Sequence, residues 1–266
     1  MDSPEKLPIR ICRHLCRRIR AWALTMFTIP QCVSCKRAIP TRDSFLCRSC
    51  RLRYLTERAK SCSACGYPHA LCACSIQAGN EVYRVMHMVP YDPQNYGIAS
   101  RVVFLAKDEF DADNFGFIAD QLSEILKLNG VTPERDWYVT WIPRRRRTIR
   151  RIGHDQSKVI ARIFARTNGL KLIRLFVNTG DRPQKMQNFD GRVQNAYSSY
   201  RVTRHGARRI KDKVVIIIDD LVTTGATFHV TITLAMEEAG AKAVVPVTFA
   251  KTDRGVKKYK MQRKRA

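Results

Sequence analysis

The chain has 266 residues, 45% of them hydrophobic, which is ordinary for a soluble globular protein and enough for one sizeable core with a small accessory domain. Its 48 Lys and Arg against 23 Asp and Glu leave a net charge of +25, a balance that favours polyanions: nucleic acid, an acidic membrane surface or phosphorylated small molecules. No apolar run approaches the roughly 20 residues that span a bilayer, and Arg13, His14, Arg17, Arg18 and Arg20 interrupt the first segment, so neither a transmembrane segment nor a cleavable secretion signal is expected and the cytoplasm is the expected location.

Residues 9–27 alternate apolar and basic at helical spacing, with Ile9, Cys12, Leu15, Cys16, Ile19, Trp22, Ala23 and Met26 near one face. A basic amphipathic helix within 1–29, packed on its own domain, is the first expectation; binding to a membrane surface or a partner is the other use of such a stripe. Cys12 and Cys16 fall on the apolar face, where small buried thiols are common, and are not counted as ligands. The next eight cysteines have metal spacing: Cys32-x-x-Cys35, Cys47-x-x-Cys50, Cys62-x-x-Cys65 and Cys72-x-Cys74. Each such turn aims two thiolates at one tetrahedral ion, and without a secretion signal disulfides are the poorer reading. One or two structural Zn²⁺ ions are expected, in closed sites with no open position for catalysis. Spacing leaves the pairing of the turns open, and His69 could replace a thiolate beside the tight Cys72-Ala73-Cys74 turn.

A strand-like run over 82–91 leads to Pro93 and Gly97, then to a helix ending near Lys107. Asp108, Glu109, Asp111 and Asp113 read as a solvated acidic loop, 117–128 as an amphipathic helix stopped by Asn129-Gly130, and 137–142 as a buried strand terminated by Pro143. Trp137, Tyr138 and Trp141 read as core, not as stacking platforms for bases. Six arginines in eight residues follow at 144–151, at the carboxyl end of a core strand, where guanidinium forks suit a diphosphate or a nucleic-acid backbone. His154 reads as a polar loop residue and Asp155 as a surface acid, ahead of an amphipathic helix over 157–167. A strand over 170–176 enters a long polar segment to about residue 200 with Arg182, Gln184, Arg192 and Asn195, a length usual for a functional loop.

The strongest signal lies at 214–227. Val214, Val215, Ile216, Ile217 and Ile218 suit a strand buried on both faces, and Asp219 and Asp220 close it. Thr223, Thr224, Gly225, Ala226 and Thr227 follow, then a helix to about Ala239 closed by Gly240. Consecutive amides and three hydroxyls at a helix N-terminus make a cradle for a phosphate monoester, with Gly225 allowing the backbone to come close. Asp219 and Asp220 are acceptors, which suits sugar hydroxyls or a hydrated divalent cation, so the pair of features points to a ribose phosphate. Neither GxGxxG nor GxxxxGK[ST] is present. A strand over 243–250 and a polycationic tail, with eight Lys or Arg against one Asp in 251–266, complete the chain.

At 214–227 the chain resembles the phosphoribosyltransferase family, whose phosphoribosyl-diphosphate loop is a hydrophobic strand, two acids, two apolar residues and Thr-Thr-Gly-x-Thr. The cysteine turns, Ile142-Pro143-Arg144 through Gly153-His154-Asp155-Gln156, and Gln184, Arg192, Asn195 and Tyr197 extend the resemblance over about 30–250 to one branch, the ComF competence-protein family. That branch has Arg-Gly-Phe-Asn-Gln where this chain has Ile152-Gly153-His154-Asp155-Gln156. The resemblance implies an α/β fold of phosphoribosyltransferase type, a mostly parallel sheet flanked by helices, with a small N-terminal zinc-ribbon domain. The expected division is a helix over 1–29, a double zinc ribbon over 30–78, a phosphoribosyltransferase domain over 79–252 and a basic tail over 253–266.

The same resemblance implies a bacterial cytoplasmic protein that binds phosphoribosyl diphosphate with Mg²⁺ and acts in DNA uptake, with single-stranded DNA and a competence helicase as candidate partners. As a pentosyl transferase of undefined acceptor, it would hold the ribose hydroxyls through Asp219 and Asp220, directly or through Mg²⁺, and grip the 5′-phosphate with Thr223, Thr224, Gly225, Ala226 and Thr227. Pro143, Arg144, Arg145 and Arg146 would bind the diphosphate, and Arg144 would join the acid pair as a candidate for catalysis by neutralising charge as diphosphate leaves C1. Asp155 and Glu109 are candidates for a general base, though each reads better as a surface acid. The rival is a non-catalytic module that keeps the fold and grips nucleic acid or a helicase.

Overall fold

The computed structural model describes residues 29–41, 44–78, 81–92, 97–108, 110–180 and 197–252. The expected N-terminal helix with Cys12 and Cys16, the residues Pro93, Glu109, Arg182, Gln184, Arg192 and Asn195, and the tail 253–266 lie outside the described residues.

The first described helix, α1 (Arg48–Arg58), belongs to the cysteine-rich region. Two short strands follow, β1 (Ser75–Ala78) and β2 (Glu81–Arg84), paired as an antiparallel hairpin. Then come β3 (Met86–Tyr91), α2 (Ile98–Asp108), α3 (Ala112–Leu128), β4 (Tyr138–Trp141), α4 (Arg146–Ile152), α5 (Gln156–Thr167) and β5 (Lys171–Leu172). A second antiparallel pair, β6 (Phe176–Asn178) with β7 (Tyr200–Val202), precedes α6 (Arg204–Ile210), β8 (Val214–Val222), α7 (Ala226–Thr233) and β9 (Ala243–Thr252). The main sheet has the order β3-β9-β8-β4-β5, and every pairing in it is parallel.

The apolar run at the start of β8 dictates this arrangement. Alternate side chains of a strand leave by opposite faces, and β8 serves two cores. Ile216 and Ile218 join Val139, Val247 and Phe249 on the face covered by Phe115, Ile118 and Leu122 of α3 and Ile160 and Phe164 of α5. Val215 and Ile217 join Tyr138 and Val244 on the face covered by Phe228, Val230 and Ile232 of α7 and by Ile210 of α6. A strand with apolar side chains on both faces needs helices on both sides, which is why the run has no polar alternation.

The cysteine-rich region docks onto the first of these faces. Leu46 and Tyr54 are buried in its core, and the Tyr54 ring lies 5.3 Å from that of Phe117. Tyr54 donates to Oε1 of Gln121 at 2.6 Å, Arg58 pairs with Glu124 at 2.7 Å, and the Glu57 carboxylate accepts from the amides of Ile98 (2.7 Å) and Ala99 (2.9 Å), so α1 caps α2.

Several expected elements are redrawn. The run 82–91 splits, because β2 pairs with β1 while β3 pairs with β9 in another sheet. The strand over 170–176 also splits: the Ile173 amide still reaches Val139 O, but the Leu175 amide turns to the Thr140 hydroxyl. Asp111 is no loop acid. It is the N-cap of α3, its carboxylate accepting from the amides of Asp113 and Asn114, so α3 starts before the expected position. The helix after the hydroxyl loop finishes as a π-turn, Leu234–Glu238, with the Ala239 amide on Leu234 O at 3.1 Å.

Candidate functional site

In an open parallel sheet, ligands settle beyond the carboxyl ends of neighbouring strands whose connections depart in opposite directions. Here those strands are β4 and β8: after β4 the chain crosses to β5, and after β8 it crosses to β9 on the other side. The ladder between them runs to Trp141 opposite Ile218, and the Ile142 amide continues it to Ile218 O at 3.0 Å. The acid pair, the hydroxyl loop and the arginine segment all start from these two strand ends.

Both acids are held by the first turn of α5. Asp220 is buried and its Oδ2 accepts from Nε2 of Gln156 at 2.7 Å, with the Lys107 ammonium 3.9 Å away. Asp219 is partly buried, and its Oδ1 accepts from the Ser157 hydroxyl at 2.9 Å and from the Asp220 amide at 3.0 Å. Burial, and after it the charge of Asp220, push the Asp219 carboxyl well above the ordinary carboxylate range, against the pull of the Ser157 hydroxyl. Two acids confined together favour a shared cation or hydroxyl donors from a ligand.

The loop after β8 exposes Thr223 and Thr224, while Gly225 and Ala226 are buried and Thr227 is half-buried. The backbone amides at 224–227 donate to no backbone carbonyl of another described residue. Gly225 has φ +82°, a left-handed conformation that disfavours any side chain, and it caps α7. The close approach expected of its backbone is to protein: a Cβ here would lie 2.8 Å from Cγ2 of Ile76 in β1.

Most of the arginine segment, from Arg146, is helical. Arg144 and Arg145 are half-buried, Arg146 begins α4 and is exposed, and Gly153 in the left-handed region (φ +90°) ends the helix. Arg144 donates to Lys107 O at 3.2 Å, and the Pro143 carbonyl accepts from Asn178 (3.2 Å) and from the Tyr200 hydroxyl (3.4 Å). Tyr200 ties the corner together. Burial, then the charge of Asp219, raise its phenol, while Arg145 pulls it down. Beside α4 opens a cleft of about 370 Å³, with Arg144, Arg146, Lys158, Arg162 and Arg174 among the residues that line it.

His154 and Asp155 differ from their expected places. His154 is buried between the rings of Phe110 and Phe115, at 5.6 and 5.5 Å, because the chain turns inward after Gly153. Asp155 is buried too, accepting from the Trp141 indole at 3.2 Å; burial raises its carboxyl. Trp141 is core, as expected. Gln156 and Ser157 partner the acids from a segment 62 or more residues away, which no local pattern in the sequence indicates, and Ile76 and Tyr200 carry no local signal.

The eight cysteines form two quartets in chain order, Cys32, Cys35, Cys47 and Cys50, then Cys62, Cys65, Cys72 and Cys74, with all ligand atoms in each within 4.8 Å of one another. Cys74 takes the fourth place in the second quartet, and His69 instead faces His87, Nδ1 to Nε2 at 3.1 Å. The pairs Cys35–Cys47, Cys62–Cys74 and Cys65–Cys72 are 3.7 Å apart. A tetrahedral ion with Zn–S bonds of about 2.3 Å separates its ligands by about 3.8 Å, whereas a disulfide needs about 2.05 Å. Each quartet could hold zinc.

Residues 157–265 match a family model described as the phosphoribosyl transferase domain. The match takes in Ser157, the acid pair, the hydroxyl loop and β9, and begins after the arginine segment and both quartets. A comparison with curated proteins finds no match.

Proposed function

We propose that this chain binds phosphoribosyl diphosphate at the corner between β4 and β8 and transfers its ribose phosphate to an acceptor. The observation that carries the reading is the meeting, at one switch point of a parallel sheet, of unengaged amides, an acid pair and arginines. Amides at 223–227 hold the 5′-phosphate, assisted by the hydroxyls of Thr223, Thr224 and Thr227. A ribose hydroxyl replaces Ser157 as donor to Asp219, the more open acid, while Asp220 stays anchored by Gln156 and steadies the pair. Arg144, Arg145 and Arg146 face the diphosphate from the end of β4, and their charge is worth most as the bond from C1 to the departing oxygen stretches. Mg²⁺, which Asp219 and Asp220 would hold, adds neutralisation of the same oxygens. Zinc in the two quartets is structural.

Action in DNA uptake rests on the resemblance to ComF proteins, with single-stranded DNA or a helicase as partner. The exposed arginines of α4 suit the rival reading of a nucleic-acid module.

Calorimetric titration with phosphoribosyl diphosphate and Mg²⁺ tests the proposal, with an assay for diphosphate release across candidate acceptors. Binding that vanishes in Asp219→Asn/Asp220→Asn and persists for DNA supports the transferase corner. No binding by the wild type, together with DNA affinity that falls and loses salt dependence when the arginines of 144–151 are replaced, decides for the module.

A further inference from the structure

The hairpin of β1 and β2 belongs neither to the main sheet nor to the proposed chemistry, yet it lies against the phosphate loop. Ile76 is half-buried, and its Cγ2 occupies the space directly above Gly225, 2.8 Å from where a Cβ would stand. Ile76 is opposite Tyr83 across the hairpin, and both pack against the core face that contains Phe228 and Val230 of α7. The hairpin is clamped at both ends. β1 begins at Ser75, one residue after Cys74, the last thiol of the second quartet, and β2 continues through buried Val85 into Met86, which pairs with Val247.

The loop needs such a clamp. Its amides at 224–227 donate to no backbone carbonyl of another described residue, and Gly225 at φ +82° has no side chain to restrict it. An anion site works when its donors are fixed before the ligand arrives. Ala226 and Phe228 hold the loop from below by burial, and Ile76 is the side chain that holds it from above. Branched at Cβ, Ile76 has few rotamers and presents a stiff wall.

We infer that Ile76 is a positioning residue for the phosphate loop, and that a metal ion on Cys62, Cys65, Cys72 and Cys74 fixes Ile76 by fixing the start of β1. This rests on the phosphate-binding reading of 223–227. The second quartet thereby sets the affinity of a site to which it contributes no ligand.

The test reads the loop directly. Amide hydrogen exchange at 223–229 is followed by mass spectrometry in the full chain without ligand, for wild type, Ile76→Val, Ile76→Ala and Cys74→Ser, with metal content and ribose 5-phosphate affinity measured on the same preparations. Ile76→Ala should keep its full metal content, exchange loop amides roughly tenfold faster and bind ribose 5-phosphate roughly tenfold more weakly. Ile76→Val should stay close to wild type. Cys74→Ser should lose one metal ion and reproduce the faster exchange. Wild-type exchange in Ile76→Ala overturns the proposal, as does a Cys74→Ser chain that loses its metal and leaves the loop unchanged. Should the wild type bind no ribose 5-phosphate while Ile76→Ala still speeds exchange, the phosphate reading fails and the coupling stands.

Discussion

Asp219 concentrates the conflict between stability and chemistry at the proposed site. Its carboxyl is raised well above the ordinary 3.8 by burial and by Asp220, so it stabilises the fold most at low pH, and that contribution is lost as pH rises through the raised value. Asp219→Asn removes the cost of ionising there. It should raise the melting temperature at neutral pH by roughly 2–4 °C, on the order of 1 kcal/mol, while abolishing titration with phosphoribosyl diphosphate and Mg²⁺. In the wild type, that affinity should climb with pH across the range where Asp219 ionises; a flat profile assigns the metal elsewhere. Gly225→Ala meets two penalties, φ +82° and Ile76 at 2.8 Å, and should lower stability by about 1–3 kcal/mol in urea unfolding. The roles of Asp219, Asp220 and 223–227 could be suggested from the sequence because strand, acids, hydroxyls and helix are contiguous. The partners Gln156, Ser157 and Tyr200 could not, since each meets the acids or Pro143 only after the sheet has brought distant segments together.

Among the elements, those whose cause is local were legible. The run over 214–218 and the periodic stretches of α3 and α5 carry their own burial pattern, and they fold as their sequences indicate. Where the cause is a partner, local pattern misleads: 82–91 divides between two sheets, and 170–176 yields to a side-chain hydroxyl on Thr140. Six arginines in eight residues hide the helix over Arg146–Ile152, because their charge draws the eye before their helix-forming side chains do. Docking of α1 has no local signal, because it depends on Tyr54 and Glu57 meeting residues far along the chain. Glu57→Ala leaves two α2 amides without their acceptor and should cost about 1–2 kcal/mol by urea unfolding, with metal content unchanged. Loss of metal in that variant would mean that α1, and not the thiols alone, holds the first quartet together.

At the scale of the whole molecule, the cysteine-rich region and the sheet share one core: Leu46 and Tyr54 lie with Phe117 and Phe249. Stripping the metal with a strong chelator should therefore lower the single melting transition of the entire chain, and Cys35→Ser should reduce the metal count from two to one per chain. A chelated chain that melts as before would deny the quartets a structural role. The strand order adds a constraint on how such a chain is made. β9 is made after every other described strand, yet it sits between β8 and β3, and among the described residues β3 has no other neighbour in the sheet. Until residue 252 clears the ribosome, the early strand must wait with both edges bare. A nascent chain with its ribbon already folded thus carries an adhesive edge until β9 emerges, and pairing of that strand is the event that closes it.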